Sequence, residues 1–231
     1  MGEHAPRFSF GSMISDRPAM GEVFRVAALA AEKREPLCLV GDSGVGLHTL
    51  ARNIVGASAL KLYCAAIPES HQREAFDAVW SRAADEPLVL TEPLDLTEPR
   101  QREILRALRS PTAGARWVFC CYRPITNEGD VPELNEALRR IAVELPPLRE
   151  RGDDAVLLAR HFLRVIHVRF GLNFDDLSPR AVEFIRAYTW PGNVRELRWR
   201  MQTWCFIQDM EGLAGTLLEP WDEPSTPTPA S

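Results

Sequence analysis

Short, wholly apolar runs alternate along the first two thirds of the chain with longer segments that carry an apolar side chain every third or fourth position. Pro18–Lys33 places Met20, Val23, Phe24, Ala27 and Ala31 at helical spacing, with Pro18 suited to a first turn. Leu37-Cys38-Leu39-Val40 is apolar at every position and stops at Gly41, the pattern of a strand buried on both faces. Leu47–Val55 then reads as a helix, Lys61–Cys64 as a strand and Ser70–Ala83 as a helix. Pro87–Thr91 and Ala115–Cys121 are further buried-strand runs, separated by a helical Glu98–Arg109. Repeated β-α-β units imply a parallel sheet with helices on both faces. The pattern changes at Leu145-Pro146-Pro147, beyond which only helices are predicted: Asp153–Arg169, Ser178–Tyr188 and Asn193–Met210. The expected layout is an N-terminal arm over 1–9, an α/β domain over 10–149, a small helical domain over 150–212 and a disordered Pro/Ser/Thr-rich tail over 213–231.

Composition narrows the classes. The 231 residues are 45% hydrophobic and 26% charged, with a formal net charge of −5, which is ordinary globular composition. No apolar run approaches the roughly 20 residues of a membrane helix, and no hydrophobic signal segment opens the chain. The expectation is a cytoplasmic protein without membrane contact. The five cysteines (Cys38, Cys64, Cys120, Cys121 and Cys205) have no metal-like spacing and read as free thiols in the core. The acidic balance argues against DNA as a partner. Arg195, Arg198 and Arg200 form a basic cluster, but Val194, Leu197, Met201 and Trp204 define an opposite buried stripe, so the cluster reads as a solvated face.

The candidate chemistry starts where the first buried strand ends. Gly41-Asp42-Ser43-Gly44-Val45-Gly46 between a strand and a helix is the setting of a phosphate-binding loop, whose N–H groups and helix N-terminus face an anion. The full pattern G-x-x-x-x-G-K-[ST] continues with a lysine and a hydroxyl, which neutralise phosphate and hold Mg²⁺. Here those positions are Leu47 and His48. After the next buried strand such a site needs an Asp for the metal and often a Glu as base for water. The chain has Thr91 and Glu92.

With these segments in view, the chain resembles the AAA+ domain of the sigma-54-dependent transcription activators, the bacterial enhancer-binding proteins. GDSGVGLH (Gly41–His48) is similar to the family's GESGTGKE, and YCAAIPES (Tyr63–Ser70) to NCAAIPES. QREILRAL (Gln101–Leu108) and LPPLRER (Leu145–Arg151) match further family segments, and WPGNVREL (Trp190–Leu197) matches without a change. The resemblance runs from about Phe10 to Met210 and implies an α/β P-loop-type parallel sheet sandwiched by helices, followed by a small all-helical lid. It also implies ATP hydrolysis in a ring that remodels a promoter complex, but the residues for that activity are mostly replaced. The lysine is Leu47 and the metal-binding aspartate is Thr91; the sensor strand, Ala-Thr-Asn-Arg in the family, reads Cys120-Cys121-Tyr122-Arg123. The two arginine-finger positions fall on Val131 and Ala137, with Arg139 and Arg140 out of register. Glu92 and the second sensor arginine, Arg195, remain. The interval that carries the family's GAFTGA sigma-54 contact loop is only Gln72–Glu86, without glycine.

The resulting expectation is a non-catalytic AAA+ regulator acting by protein contact, on an active AAA+ activator or a signalling protein, and monomeric or dimeric in isolation. It has no catalytic residue beyond a vestigial Glu92, no metal ligand and no resident cofactor. The alternative is a nucleotide switch or residual ATPase, with Glu92 as base, His48 as a phosphate contact and Arg195 sensing phosphate. In it Gly41, Asp42, Ser43, Gly44, Val45, Gly46, Leu47, His48 and Arg195 form a degenerate site for ATP or ADP without Mg²⁺. Arg195 also has a plainer reading, pairing with acidic neighbours on its helix.

Overall fold

Three apolar runs, at 37–40, 88–91 and 117–121, become parallel strands because alternate side chains of each meet a different core. The computed structural model describes residues 5–110, 116–126, 128–170 and 176–211, with backbone alone over 206–211. In chain order the regular elements are β1 (Phe8–Phe10), β2 (Met13–Ser15), α1 (Pro18–Lys33), β3 (Leu37–Val40), α2 (Leu47–Val55), β4 (Leu60–Tyr63) and α3 (Glu69–Trp80). They continue with β5 (Leu88–Thr91), α4 (Glu98–Arg109), β6 (Trp117–Cys121), α5 (Pro132–Arg140), β7 (Ala142–Glu144), α6 (Asp154–Phe170), α7 (Pro179–Ala187) and α8 (Asn193–Glu211).

The main sheet is parallel, in the order β4-β5-β6-β3-β7. Leu37, Leu39, Val89, Val118 and Cys120 face one core with α1 and α2. Cys38, Leu88, Leu90, Trp117, Phe119 and Cys121 face the other, with residues of α3, α4 and α5. All five cysteines are free and buried, as their apolar contexts predict. A third core joins α6, α7 and α8 through Ala159, Leu163, Ile185, Trp190, Leu197 and Met201. Buried glutamines close the turns on the second face: the Gln101 amide donates to the carbonyls of Leu94 (2.9 Å) and Leu96 (2.7 Å), and Gln72 Oε1 accepts from the Thr97 N–H (2.8 Å).

The structure departs from the sequence reading in three places. Phe8 and Ser9, expected in a loose arm, form β1, which pairs antiparallel with β2 and lays Phe8 and Phe10 on the first core. The polar segment 132–140 is helical because Val131, Leu134 and Leu138 fall on one face and are fully buried. Ala142–Glu144 adds an edge strand too short to leave a pattern. The expected tail over 213–231 lies outside the described residues.

The hairpin ties the helical part to the sheet. Asp154 at the start of α6 is buried; its carboxylate accepts from the Ser15 hydroxyl (2.5 Å) and the Asp16 N–H (2.9 Å), while Arg17 Nε donates to the Arg151 carbonyl (2.7 Å). Asp154→Ala strands two donors at a buried seam, so urea denaturation is expected to show a loss of about 2–4 kcal/mol. Ser15→Ala, which removes one of them, is expected to cost less. Equal midpoints for Asp154→Ala and the parent would show that the seam carries no stability.

Candidate functional site

The glycine loop is held by its carbonyl oxygens. Asn193 Nδ2 donates to the Ser43 carbonyl (3.0 Å), the Arg195 N–H to Gly44 (3.2 Å) and Arg151 Nη2 to Val45 (3.1 Å). Arg149 Nη1 pairs with Asp42 Oδ2 at 3.0 Å. Asn193, fully buried with φ 52°, also accepts the Leu148 N–H on Oδ1 (2.8 Å), so one amide links the loop, the LPPLRER segment and WPGNVREL. The contact is close: at Gly44, φ 84°, an added Cβ would lie 2.3 Å from the Gly192 carbonyl oxygen. Arg151 is almost fully buried, and burial lowers its guanidinium to about 10 against the nearby Asp154 charge, which leaves it cationic at neutral pH.

The N–H side of the loop is different. Among the described residues no acceptor takes the N–H of Ser43, Gly44, Gly46, Leu47, His48 or Thr49; the first amide bonded in α2 is Leu50, to Gly46. This is the row of donors that a phosphate uses. Arg195 stands beside it, its guanidinium exposed and without a carboxylate partner among the described residues, which corrects the reading that it pairs with acidic neighbours. In the basic cluster Arg200 is engaged, bonded to Glu196 (2.9 Å) and the Tyr188 hydroxyl (2.9 Å) and lying over the Tyr188 ring.

The end of the site where charge and metal would sit is built otherwise. Leu47 is 2% exposed and packs into the first core. His48 Nε2 lies 2.7 Å from the Tyr122 hydroxyl, and its ring is 5.3 Å from that of Tyr63. Burial, and then the Lys61 charge, hold the imidazole below its ordinary pKa, and burial raises the Tyr122 phenol, so the two groups meet as a neutral pair. Thr91 is buried at the end of β5. Glu92, at φ 55° and also buried, accepts the Tyr122 N–H on Oε1 (2.5 Å), and its Oε2 is 3.6 Å from Arg123, which pairs with Asp95 at 2.6 Å. The glutamate therefore fastens the end of β6. Val131 is fully buried in the second core and Ala137 packs against it, so neither position offers a charged side chain.

Tested against Mg²⁺-nucleotide, the site divides. The row of N–H groups and Arg195 fit a phosphate. Leu47, a bonded imidazole and a threonine do not make the cation and hard-oxygen set that a triphosphate with Mg²⁺ takes. No group of three or more His, Cys, Asp or Glu among the described residues is arranged to hold a metal. The sequence brought Gly41–His48, Glu92 and Arg195 into one site; it did not give roles to Tyr63, Tyr122, Arg149, Arg151 and Asn193. Their signal was available in the motifs LPPLRER and WPGNVREL and in a tyrosine at the sensor position.

A glycine loop between β3 and α2, this strand order and a three-helix lid define an AAA+ module. The family model described as the AAA+ ATPase lid domain matches residues 149–225. The regulatory protein AtoC of Escherichia coli is 30% identical over 226 residues, covering 82% of this chain and 49% of that protein. The transcriptional regulatory protein ZraR of the same species is 29% identical over 221 residues, covering 80% and 50%. The nitric oxide reductase transcription regulator NorR1 of Cupriavidus necator is 30% identical over 223 residues, covering 81% and 43%. Among solved structures, NtrX of Brucella abortus in complex with ATP superposes with a TM-score of 0.70 at 21% identity, covering 86% of this chain and 53% of that one, a likeness of fold. The chain belongs to the AAA+ domains of the sigma-54-dependent transcriptional regulators. It spans about half the length of the curated relatives it matches.

A histidine held below its ordinary value of 6.5 binds fewer protons folded than unfolded, so its contribution to stability is intact above that value and falls as pH drops below it. His161, also lowered by burial, acts in the same direction. Denaturation midpoints are expected to fall between about pH 7 and pH 5, and less steeply in His48→Gln. An unchanged slope in that variant would show that His48 does not stay neutral in the fold.

Proposed function

We propose that this chain is a non-catalytic AAA+ regulator in bacterial transcriptional or signalling control, acting in the cytoplasm through contact with another protein. The observation that carries the reading is the contrast within one site. The residues that clamp loop to lid (Asn193, Arg151, Arg149) are in place and bonded, whereas the positions that perform phosphoryl transfer hold Leu47, a His48–Tyr122 pair, Thr91, Val131 and Ala137. Phosphoryl transfer depends on positioned charges, each worth powers of ten in rate, and several are replaced together. The segment Gln72–Glu86, where the family carries its GAFTGA loop, is helix α3 and a turn, which supports a partner other than the sigma-54 promoter complex. An active AAA+ regulator or a signalling protein fits the family's habit of acting on proteins.

A second reading is favoured by the unbonded N–H row and the unpaired Arg195: the chain is a switch that takes ATP or ADP without Mg²⁺. The non-catalytic reading is tested by steady-state phosphate release from purified protein with ATP and Mg²⁺. The regulator reading predicts no release above background and no change in Glu92→Gln. Turnover that Glu92→Gln abolishes would overturn it and identify a residual ATPase.

A further inference from the structure

We propose that His48 and Tyr122 form an internal plug that keeps phosphate out of the glycine loop. This rests on the reading that the site is not a working ATPase, and it explains how the chain manages with an empty row of backbone donors. The two residues come from opposite sides of the site: His48 from the second position of α2, Tyr122 from the residue after β6. Their 2.7 Å hydrogen bond spans the space between the loop's helix and the strand end. Tyr63, from the end of β4, backs the imidazole with its ring, and the Tyr122 backbone is itself fixed by Glu92. In the pattern the chain resembles, the positions of His48, Tyr63 and Tyr122 hold Glu, Asn and Asn, so the bridge stands where that pattern has a carboxylate and an amide.

The plug has the chemistry of a competitor. In the proposed arrangement a phosphate oxygen reaching the start of α2 competes with the Tyr122 hydroxyl for the space beside the imidazole. It then meets a neutral ring with no charge to offer. The loop does not need the ligand for its own order, because the lid already holds its carbonyls. The consequence is a chain kept in one clamped arrangement whatever the nucleotide level, with Glu92 serving to place the plug.

The test is calorimetric titration of the whole chain with ADP and, separately, with inorganic pyrophosphate, both without Mg²⁺, in the parent, Tyr122→Ala and Tyr122→Phe. Opening the plug is expected to tighten binding at least about tenfold in Tyr122→Ala, the scale of one buried hydrogen bond. Tyr122→Phe, which loses the hydroxyl but keeps the ring, is expected to fall between. Adding Arg195→Ala to Tyr122→Ala is expected to remove the gain, which places the ligand at the loop. Equal affinity in parent and Tyr122→Ala, or no binding by a Tyr122→Ala protein that melts cooperatively, would overturn the plug. Should Tyr122→Ala not fold, Tyr122→Phe decides alone, and no gain there overturns it. Either failure leaves the non-catalytic reading intact, since that one fails only through turnover sensitive to Glu92→Gln.

Discussion

Three successive carbonyl oxygens, those of Ser43, Gly44 and Val45, accept hydrogen bonds from the lid, and most of the molecule's arrangement depends on that contact. A glycine loop ordinarily exposes both sides of its backbone. Here one side is satisfied by Asn193, the Arg195 N–H and Arg151, which turns the other side, the N–H groups, outward as a row. The geometry needs Gly44 because the Gly192 carbonyl approaches where a Cβ would stand. It needs Asn193 in the left-handed region, where asparagine is tolerated better than most residues, so that one side chain can reach Ser43 and the Leu148 N–H together. The Asp154 seam to Ser15 and Asp16 then fixes the lid from the other side.

This division of labour accounts for which segments match the family and which do not. LPPLRER supplies Arg149 and Arg151 to the loop, and WPGNVREL supplies Trp190 to the lid core, Asn193 to the loop and Glu196 to the Gly192 N–H. Arg151, Asn193 and Glu196 are tied to backbone groups, and a buried unpaired carbonyl or amide is costly. Leu47, His48, Thr91 and Tyr122 are under a different constraint. Each meets side chains or core, and a change there alters what the site does without unmaking the fold.

Much of this was legible in the residues. The alternation of apolar runs and helical segments gave the parallel sheet, and the boundaries of α1, β3, α2 and α4 follow directly from Pro18, Gly41, Gly56 and the apolar spacing. The hairpin escaped because three-residue strands carry no period, and residues 1–9 read as a loose arm. Helix α5 escaped because its buried positions, Val131, Leu134 and Leu138, are sparse among charged neighbours. At the site, sequence located the loop, Glu92 and Arg195. It missed the pairing of His48 with Tyr122, residues 74 apart that only the sheet brings together. It also missed that Glu92 is spent on a backbone N–H, because a carboxylate at a strand end reads the same whether it faces water or a main-chain amide.

Asn193, Arg151 and the Arg195 N–H hold the loop by themselves, with no nucleotide needed to assemble the contact. Amide hydrogen exchange reads it directly at two donors, the Arg195 N–H bonded to Gly44 and the Leu148 N–H bonded to Asn193. Both are expected to be protected in nucleotide-free protein, at rates that ATP with Mg²⁺ leaves unchanged. Fast exchange in the free protein, slowed only when nucleotide is added, would contradict it and make the ligand, not the lid, the element that orders the loop.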